Sequence, residues 1–398
     1  MIKKILYFHY MRSERDGSHV HTREFEAAFG ALCAAQGIAF KVFSPALVTP
    51  HTGLPTLLSR LRRRLAKFYL RDVKSLLIQL ARSREERKVL RRERPDVVIT
   101  RFDSYTLSIL WACRREGIPV VIEVNEPEWD NMHAEYRQLP WLRRLFTNGH
   151  AMELADAAFA VSDEVSNPLR KFARGKPVET IPNGVDIARF DPGISGEAIR
   201  RQFGIGNDRV VFGFVGSFAP WHGLDMLVES VLTLIEEGLQ VHLLLVGQPN
   251  YHWQALLDRL HSDRLGAHVT LAGFVRPKDI PPYLAAMDVA VLPNAAEYCS
   301  PLKLFEYMAM ARLTVAAGTP PVAATLADGK EGLLFPVGDK AALTELLRQL
   351  ASDSAYRRRL QAEMGQAARR RMESEFTWRH NAERVFRLAE AVCRMPGA

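Results

Sequence analysis

Lys303 and Glu306 stand three residues apart in the stretch EYCSPLKLFEYMAM, residues 297 to 310, whose other positions after the Cys-Ser-Pro turn suit a core. Ser300 is a favoured N-cap, and Pro301 fits the first helical position, where a missing N–H costs nothing, so the two predict a helix start. The amides of Leu302 and Lys303 then point outward from a positive helix end, which attracts phosphate or carboxylate. A lysine in that first turn is disfavoured by the helix dipole, and an anion ahead of the helix would explain it. Glu306, one turn on, shares the face of Lys303 and could reach a polyhydroxyl group such as a ribose. This is a nucleotide-binding arrangement. An exposed i,i+3 ion pair on a solvent face accounts for the same spacing. The apolar run VAVLP just upstream favours a site at the carboxyl edge of a sheet.

Two stretches of the first half have residues fit for similar work. RDGSHVHTREFEAAF follows an apolar run and opens a helical pattern, a place where backbone amides approach phosphate. Its His19 and His21 form an H-x-H, but no third ligand cluster accompanies them and no metal site is expected. VVIEVNEPEW ends a strand, where Asn125 and Glu126 can hydrogen-bond sugar hydroxyls or steady the turn.

Short apolar runs alternate with helical patterns along the chain, which predicts parallel sheets with crossover helices. KILYFHY, IAFKVFS, DVVITR, PVVIEVN, AAFAVS and VETIP are the strands of the first half; RVVFGFVGS, VHLLLVG, HVTLAG, VAVLP, LTVAA and EGLLF are those of the second. A Gly-, Asp- and Pro-rich stretch between them predicts a first domain over 1–195 and a second over 196–375. Residues 376–398 read as an amphipathic helix that ends the second domain or crosses back to the first. Two doubly wound domains joined in this way are expected to bind ligands in a cleft between the carboxyl ends of their strands.

The 398 residues exceed one ordinary core, and 47% hydrophobic with 25% charged residues is an ordinary globular composition. Met1-Ile2-Lys3-Lys4 followed by ILYFHYM imitates a signal peptide but lacks a small-residue cleavage site, and it reads as a first strand. No apolar run is long enough to span a bilayer. Four scattered cysteines without a CxxC pair disfavour a zinc site or disulfide framework, and a cytoplasmic location is expected. Residues 54–94 hold 14 Lys/Arg against 4 Asp/Glu, a local +10 in a chain of net +8, so the basicity belongs to one segment. Leu57, Leu58, Leu61, Leu65, Phe68, Tyr69, Leu76, Leu77 and Leu80 recur there at helical spacing. Such a helix either packs on its own domain with solvated arginines or lies on an anionic membrane. No nucleic-acid-binding module is present.

The S-P-x-K-x-x-E-Y-M-A segment resembles the E-x(7)-E region of retaining glycosyltransferases of family 4, the "glycosyl transferases group 1" domain. FVGSFAPWHGLDMLVES, LLLVG, VTLAGFV, AMDVAVLPN, EGLLFPVGD, ELADAAFAVSDEV and IPNGVDIARF follow in the family's order over nearly the whole chain. The resemblance implies the GT-B fold, two Rossmann-like domains with the nucleotide sugar bound mainly by the second, and no metal in the chemistry. It puts Glu306 on the ribose hydroxyls. The family's first glutamate falls on Tyr298, so contact with the donor sugar is expected from Glu297, one residue out of register. The family's phosphate-binding Arg and Lys, in the loop that here starts at Gly216, fall on Ser217 and His222. Lys303 is therefore expected to replace one cation, and a protonated His222 the other. Phe274 and Val275 would bracket the base, and Gly17 and Ser18 take the places of the family's Gly-Gly loop. Asn125 stands where the family often has His.

These roles imply a retaining glycosyltransferase that moves a sugar from a UDP- or GDP-type nucleotide sugar to a glycan or lipid-linked acceptor, with no further cofactor. The catalytic candidates are Lys303, Glu297 and Asn125. A GT-B-shaped binding or scaffold module without turnover is the alternative, motivated by Ser217, His222, Asn125 and the displaced Glu297.

Overall fold

The computed structural model describes residues 2–10, 17–44, 70–102, 107–127, 147–248 and 266–394. Its contacts divide the chain into two units: Met1–Pro182 with Asn381–Ala398, and Asn183–His380.

Each unit is built on a six-stranded, wholly parallel sheet, and each of the twelve expected runs is a strand. In the first unit β1 (Lys4–Phe8), β2 (Ala39–Phe43), β3 (Val97–Phe102), β4 (Val120–Val124), β5 (Ala157–Ala160) and β6 (Val178–Thr180) lie in the order β2-β1-β3-β4-β5-β6. In the second unit β7 (Val210–Val215), β8 (Val241–Val246), β9 (Val269–Gly273), β10 (Val289–Leu292), β11 (Leu313–Ala317) and β12 (Leu333–Phe335) lie in the order β12-β11-β10-β7-β8-β9. Both are doubly wound orders. The direction of winding reverses between β1 and β3 in one sheet and between β7 and β10 in the other, and loops at the carboxyl ends of such pairs form a ligand crevice.

The central strands of the second unit are buried along their whole length, as sheets covered on both faces require. Alternate residues feed opposite cores. Val211 and Val215 of β7 join Leu244, Ala290 and Leu304 on one face, while Val210, Phe212 and Phe214 join Leu243, Val291 and Leu347 on the other.

The expected division near residue 195 falls inside the second unit. Val185 and Phe190 are buried in its core, so the Gly- and Asp-rich stretch is a packed wrapping of that unit. The Val185 N–H donates to the Phe376 carbonyl at 2.9 Å, and Gly184 lies against the backbone at Thr377 and Trp378. The helix Trp378–Cys393 begins in the second unit, and from Asn381 onward it belongs to the first. There Asn381 Nδ2 donates to the Pro182 carbonyl at 2.9 Å, and the Phe386 ring packs on Phe29.

Of the basic segment, residues 54–69 lie outside the described residues, including Leu57, Leu58, Leu61, Leu65, Phe68 and Tyr69. The described part belongs to the helix Leu70–Glu93, where Arg87 and Arg91 both bind Glu116, at 2.6 and 2.8 Å. Leu77 and Leu80 are 61% and 48% exposed. Among the described residues no helix is long and apolar enough to cross a membrane.

A Cβ on Gly184 would sit 2.6 Å from the Trp378 backbone nitrogen and 2.8 Å from the Thr377 carbonyl carbon, neither of which is a flexible side-chain end. Gly184→Ala is expected to destabilise the protein by about 2–3 kcal/mol through overpacking, read as a lower denaturant midpoint with an unchanged m-value.

Candidate functional site

In the second unit the carboxyl ends of β7 and β10 carry the residues singled out from the sequence. β7 leads into Gly216, whose φ of +144° is open to glycine, and whose missing side chain leaves room for Lys303: a Cβ there would lie 2.9 Å from Lys303 Nζ. Ser217 is exposed, and the short 3-10 turn Pro220–His222 follows. Past β10, exposed Glu297 and half-buried Tyr298 precede the helix Leu302–Ala309.

That helix starts one residue later than expected. Pro301 is its N-cap, with φ −77° and ψ 113°, and no side chain caps the first turn. Ser300 does not cap because its hydroxyl oxygen accepts from the Asn183 backbone N–H at 3.1 Å, while its carbonyl accepts from Asn183 Nδ2 at 2.6 Å. Asn183 of the IPNG stretch thus holds the loop in place, and the N-cap residue Pro301 supplies no side-chain cap to the first turn.

The Lys303 ammonium lies 3.0 Å from His222 Nε2, 3.2 Å from His222 Nδ1 and 4.7 Å above the Phe214 ring. Burial pulls its pKa down to about 8, against the raising influence of Cys299 and Glu306. Burial, and then the charge of Lys303, lower His222 to about 3, with the Asn294 backbone opposing. At neutral pH Lys303 is the cation and His222 a neutral acceptor of its proton. The expectation of a second cation at His222 is therefore corrected: two positive charges at 3 Å in a partly buried site repel, and the weaker base loses its proton.

Glu306 lies one turn further along the same helix, half-buried. Phe274 follows β9 and is 55% exposed, and Val275 packs against the core. Because the strands are parallel, Gly216, Ser217, His222, Phe274, Val275, Glu297 and Lys303 all leave one carboxyl edge. Of these, Gly216, His222 and Lys303 meet directly.

In the first unit Gly17 and Ser18 open the helix Gly17–Ala35 after β1, and Asn125 directly follows β4. Asn125 Nδ2 donates to Glu123 Oε1 at 2.7 Å. Glu123 is fully buried in β4, and His21 Nε2 lies 2.7 Å from the same oxygen. His21 is thus paired with a carboxylate within the core. Among the described residues no group of three or more His, Cys, Asp or Glu could hold a metal ion.

Phe214, Asn183 and Glu123 were missed from the sequence. Phe214 and Asn183 give no local signal, since their partners lie at distant positions. Glu123 did give one, as a carboxylate within the apolar run VVIEV.

Two family models match the chain: Glycosyltransferase Family 4 over residues 16–189 and Glycosyl transferases group 1 over residues 209–353. Spore coat protein SA of Bacillus subtilis is 29% identical over 237 residues, 55% of this chain and 59% of that protein. A D-inositol 3-phosphate glycosyltransferase of Stackebrandtia nassauensis is 28% identical over 287 residues, 68% of this chain and 62% of that protein. The chain thus spans about three fifths of the length of these two relatives. In structure it resembles Anabaena HepE, solved in complex with UDP and glucose, with a TM-score of 0.68 at 18% identity over 98% of this chain and 100% of that one. Matched in both units and in architecture, the chain belongs to the group 1, family 4 glycosyltransferases and has their GT-B fold.

Proposed function

We propose that the protein transfers a sugar, with retention at the anomeric carbon, from a nucleoside diphosphate sugar to a hydroxyl of a glycan or lipid-linked acceptor in cell-surface polysaccharide or glycoconjugate synthesis. The observation that carries this reading is the Lys303 ammonium, seated between His222 and Phe214 at the uncapped first turn of a helix, where the second sheet reverses its winding. Lys303 and the amides of Leu302 and Lys303 hold the leaving diphosphate. Glu306 takes the ribose hydroxyls, Phe274 and Val275 the base, and Glu297 the donor sugar; Gly17 and Ser18 add backbone contacts to phosphate. The anomeric carbon parts from the β-phosphate oxygen and bonds the acceptor oxygen on the same face, while the acceptor's proton passes to the departing phosphate. Charge neutralisation by Lys303 and the helix end is consistent with chemistry that needs no metal. HepE, solved in complex with UDP, supports the UDP side of a UDP- or GDP-type donor.

A scaffold module that binds nucleotide without turnover is the second reading, favoured by the exposed Glu297, the neutral His222 and a relative named as a spore coat protein. A thermal-shift panel of UDP, GDP, ADP and dTDP, followed by turnover with the matching sugar nucleotides, separates the two. Lys303→Ala is expected to lower turnover by ~10²–10³, and Glu306→Ala to weaken nucleotide binding by about 1–3 kcal/mol. Binding with no turnover on any donor supports the scaffold.

The depressed pKa of Lys303 gives the affinity a pH dependence. The ammonium is fully present below about pH 8 and lost above it, so diphosphate binding is strong at pH 7 and weakens as pH rises through 8. Calorimetric titration of UDP or GDP is expected to show a loss of up to ~tenfold per pH unit above that value, and Lys303→Met is expected to flatten the profile.

We further propose that the protein lies on an anionic membrane through its basic segment, on the observation that Leu77 and Leu80 stand exposed on a helix of that segment. Flotation with phosphatidylglycerol liposomes checks this: Leu77→Glu with Leu80→Glu is expected to abolish flotation, and unchanged flotation of that variant removes the proposal.

A further inference from the structure

The carboxylate of Glu123 has no part in the roles assigned above, yet four groups converge on it. His21 Nε2 lies 2.7 Å and Arg101 Nη1 3.4 Å from its Oε1; Asn125 Nδ2 donates to Oε1 at 2.7 Å, and the Tyr7 hydroxyl donates to Oε2 at 3.4 Å. They come from four places in the first unit: β1, the helix Gly17–Ala35, β3 and the exit of β4. Burial alone would push Glu123 upward, but the neighbouring His21 and Arg101, with hydrogen bonds from His21 and Asn125, outweigh it and hold the carboxyl at about 2.

An ionised carboxylate only accepts hydrogen bonds. Asn125 therefore meets it with its amide nitrogen, and Oδ1 becomes the end turned away from Glu123. A free asparagine can present either end to a ligand, and an anionic neighbour removes that choice. We infer that Glu123 is a positioning residue, which fixes Asn125 so that it offers a carbonyl oxygen at the carboxyl edge of the first sheet, to a sugar hydroxyl and not to phosphate or carboxylate. Through His21 the same carboxylate also anchors the first turns of the helix that Gly17 and Ser18 open. That the ligand is a sugar rests on the proposed function.

A double-mutant cycle of Glu123→Asp and Asn125→Ala tests the inference. The aspartate keeps the negative charge in the sheet but withdraws it by one methylene from the shared Oε1 position, breaking the 2.7 Å hydrogen bond from Asn125 while the longer-ranged attraction of His21 and Arg101 persists. Two reactions are followed: release of nucleoside diphosphate from UDP-glucose and GDP-mannose without acceptor, and transfer to glucose or inositol 3-phosphate. Each single variant is expected to lower kcat/KM by about tenfold or more, with the thermal shifts given by UDP and GDP unchanged and the double variant no worse than Asn125→Ala. A loss already present in acceptor-free release places the hydroxyl on the donor sugar; a loss confined to transfer places it on the acceptor. Additive losses, or full activity in either single variant, overturn the inference. Should Glu123→Asp fail to fold, Asn125→Asp decides: it sets two carboxylates against each other and is expected to lose as much as Asn125→Ala, so activity at the parent level overturns the inference. A parent protein that no nucleoside diphosphate stabilises, and that turns over no sugar nucleotide, overturns the proposed function itself.

Discussion

The second unit depends on keeping one ammonium group charged while it is partly withdrawn from water. Lys303 manages this with a neutral imidazole on one side and the face of Phe214 on another, both of which favour a cation without cancelling its charge. A carboxylate in the place of His222 would form an ion pair and leave little attraction for an incoming anion. The surrounding features serve the same end. Gly216 leaves the room, Asn183 draws Ser300 away from the helix end, and the first-turn amides add to the positive potential. At the other end of that helix, Arg369 donates to the carbonyls of Ala309 and Phe190, so the negative end is covered by a fixed cation.

The first unit answers the same physical demand with the opposite sign. Glu123 is an anion buried in the middle of a parallel sheet, held there by His21 and Arg101 and by hydrogen bonds from Asn125 and Tyr7. A buried charge left without such partners would be neutralised. Both groups lie toward carboxyl edges of doubly wound sheets, where helix amino ends and strand exits bring polar groups together, while the strands themselves are almost wholly apolar.

Many of the arginines at the described positions are paired with carboxylates within the fold. Arg87 and Arg91 converge on Glu116, Arg200 binds Asp288, Arg348 binds Glu237, and Arg371 binds the buried Glu331. A count of basic residues therefore overstates what is available to a partner surface. What distinguishes the helix Leu70–Glu93 is the combination of basic residues with exposed leucines.

The sequence by itself determined the architecture: twelve apolar strands between helical patterns allow little other than two parallel, doubly wound sheets, because periodicity and burial are written locally along the chain. It also determined that a helix with Lys303 near its amino end and Glu306 one turn later leaves β10. Tertiary structure alone decided the charge states and the partners. His222 loses its proton because the fold buries it and because Lys303, 81 residues away in sequence, is brought to within about 3 Å of it. Ser300 gives up its cap to Asn183, 117 positions distant, and Glu123 stays ionised because His21 and Arg101 reach it from other elements. Desolvation and Coulomb interaction depend on separation in space, and a linear pattern carries no record of which distant groups will share a few cubic ångströms.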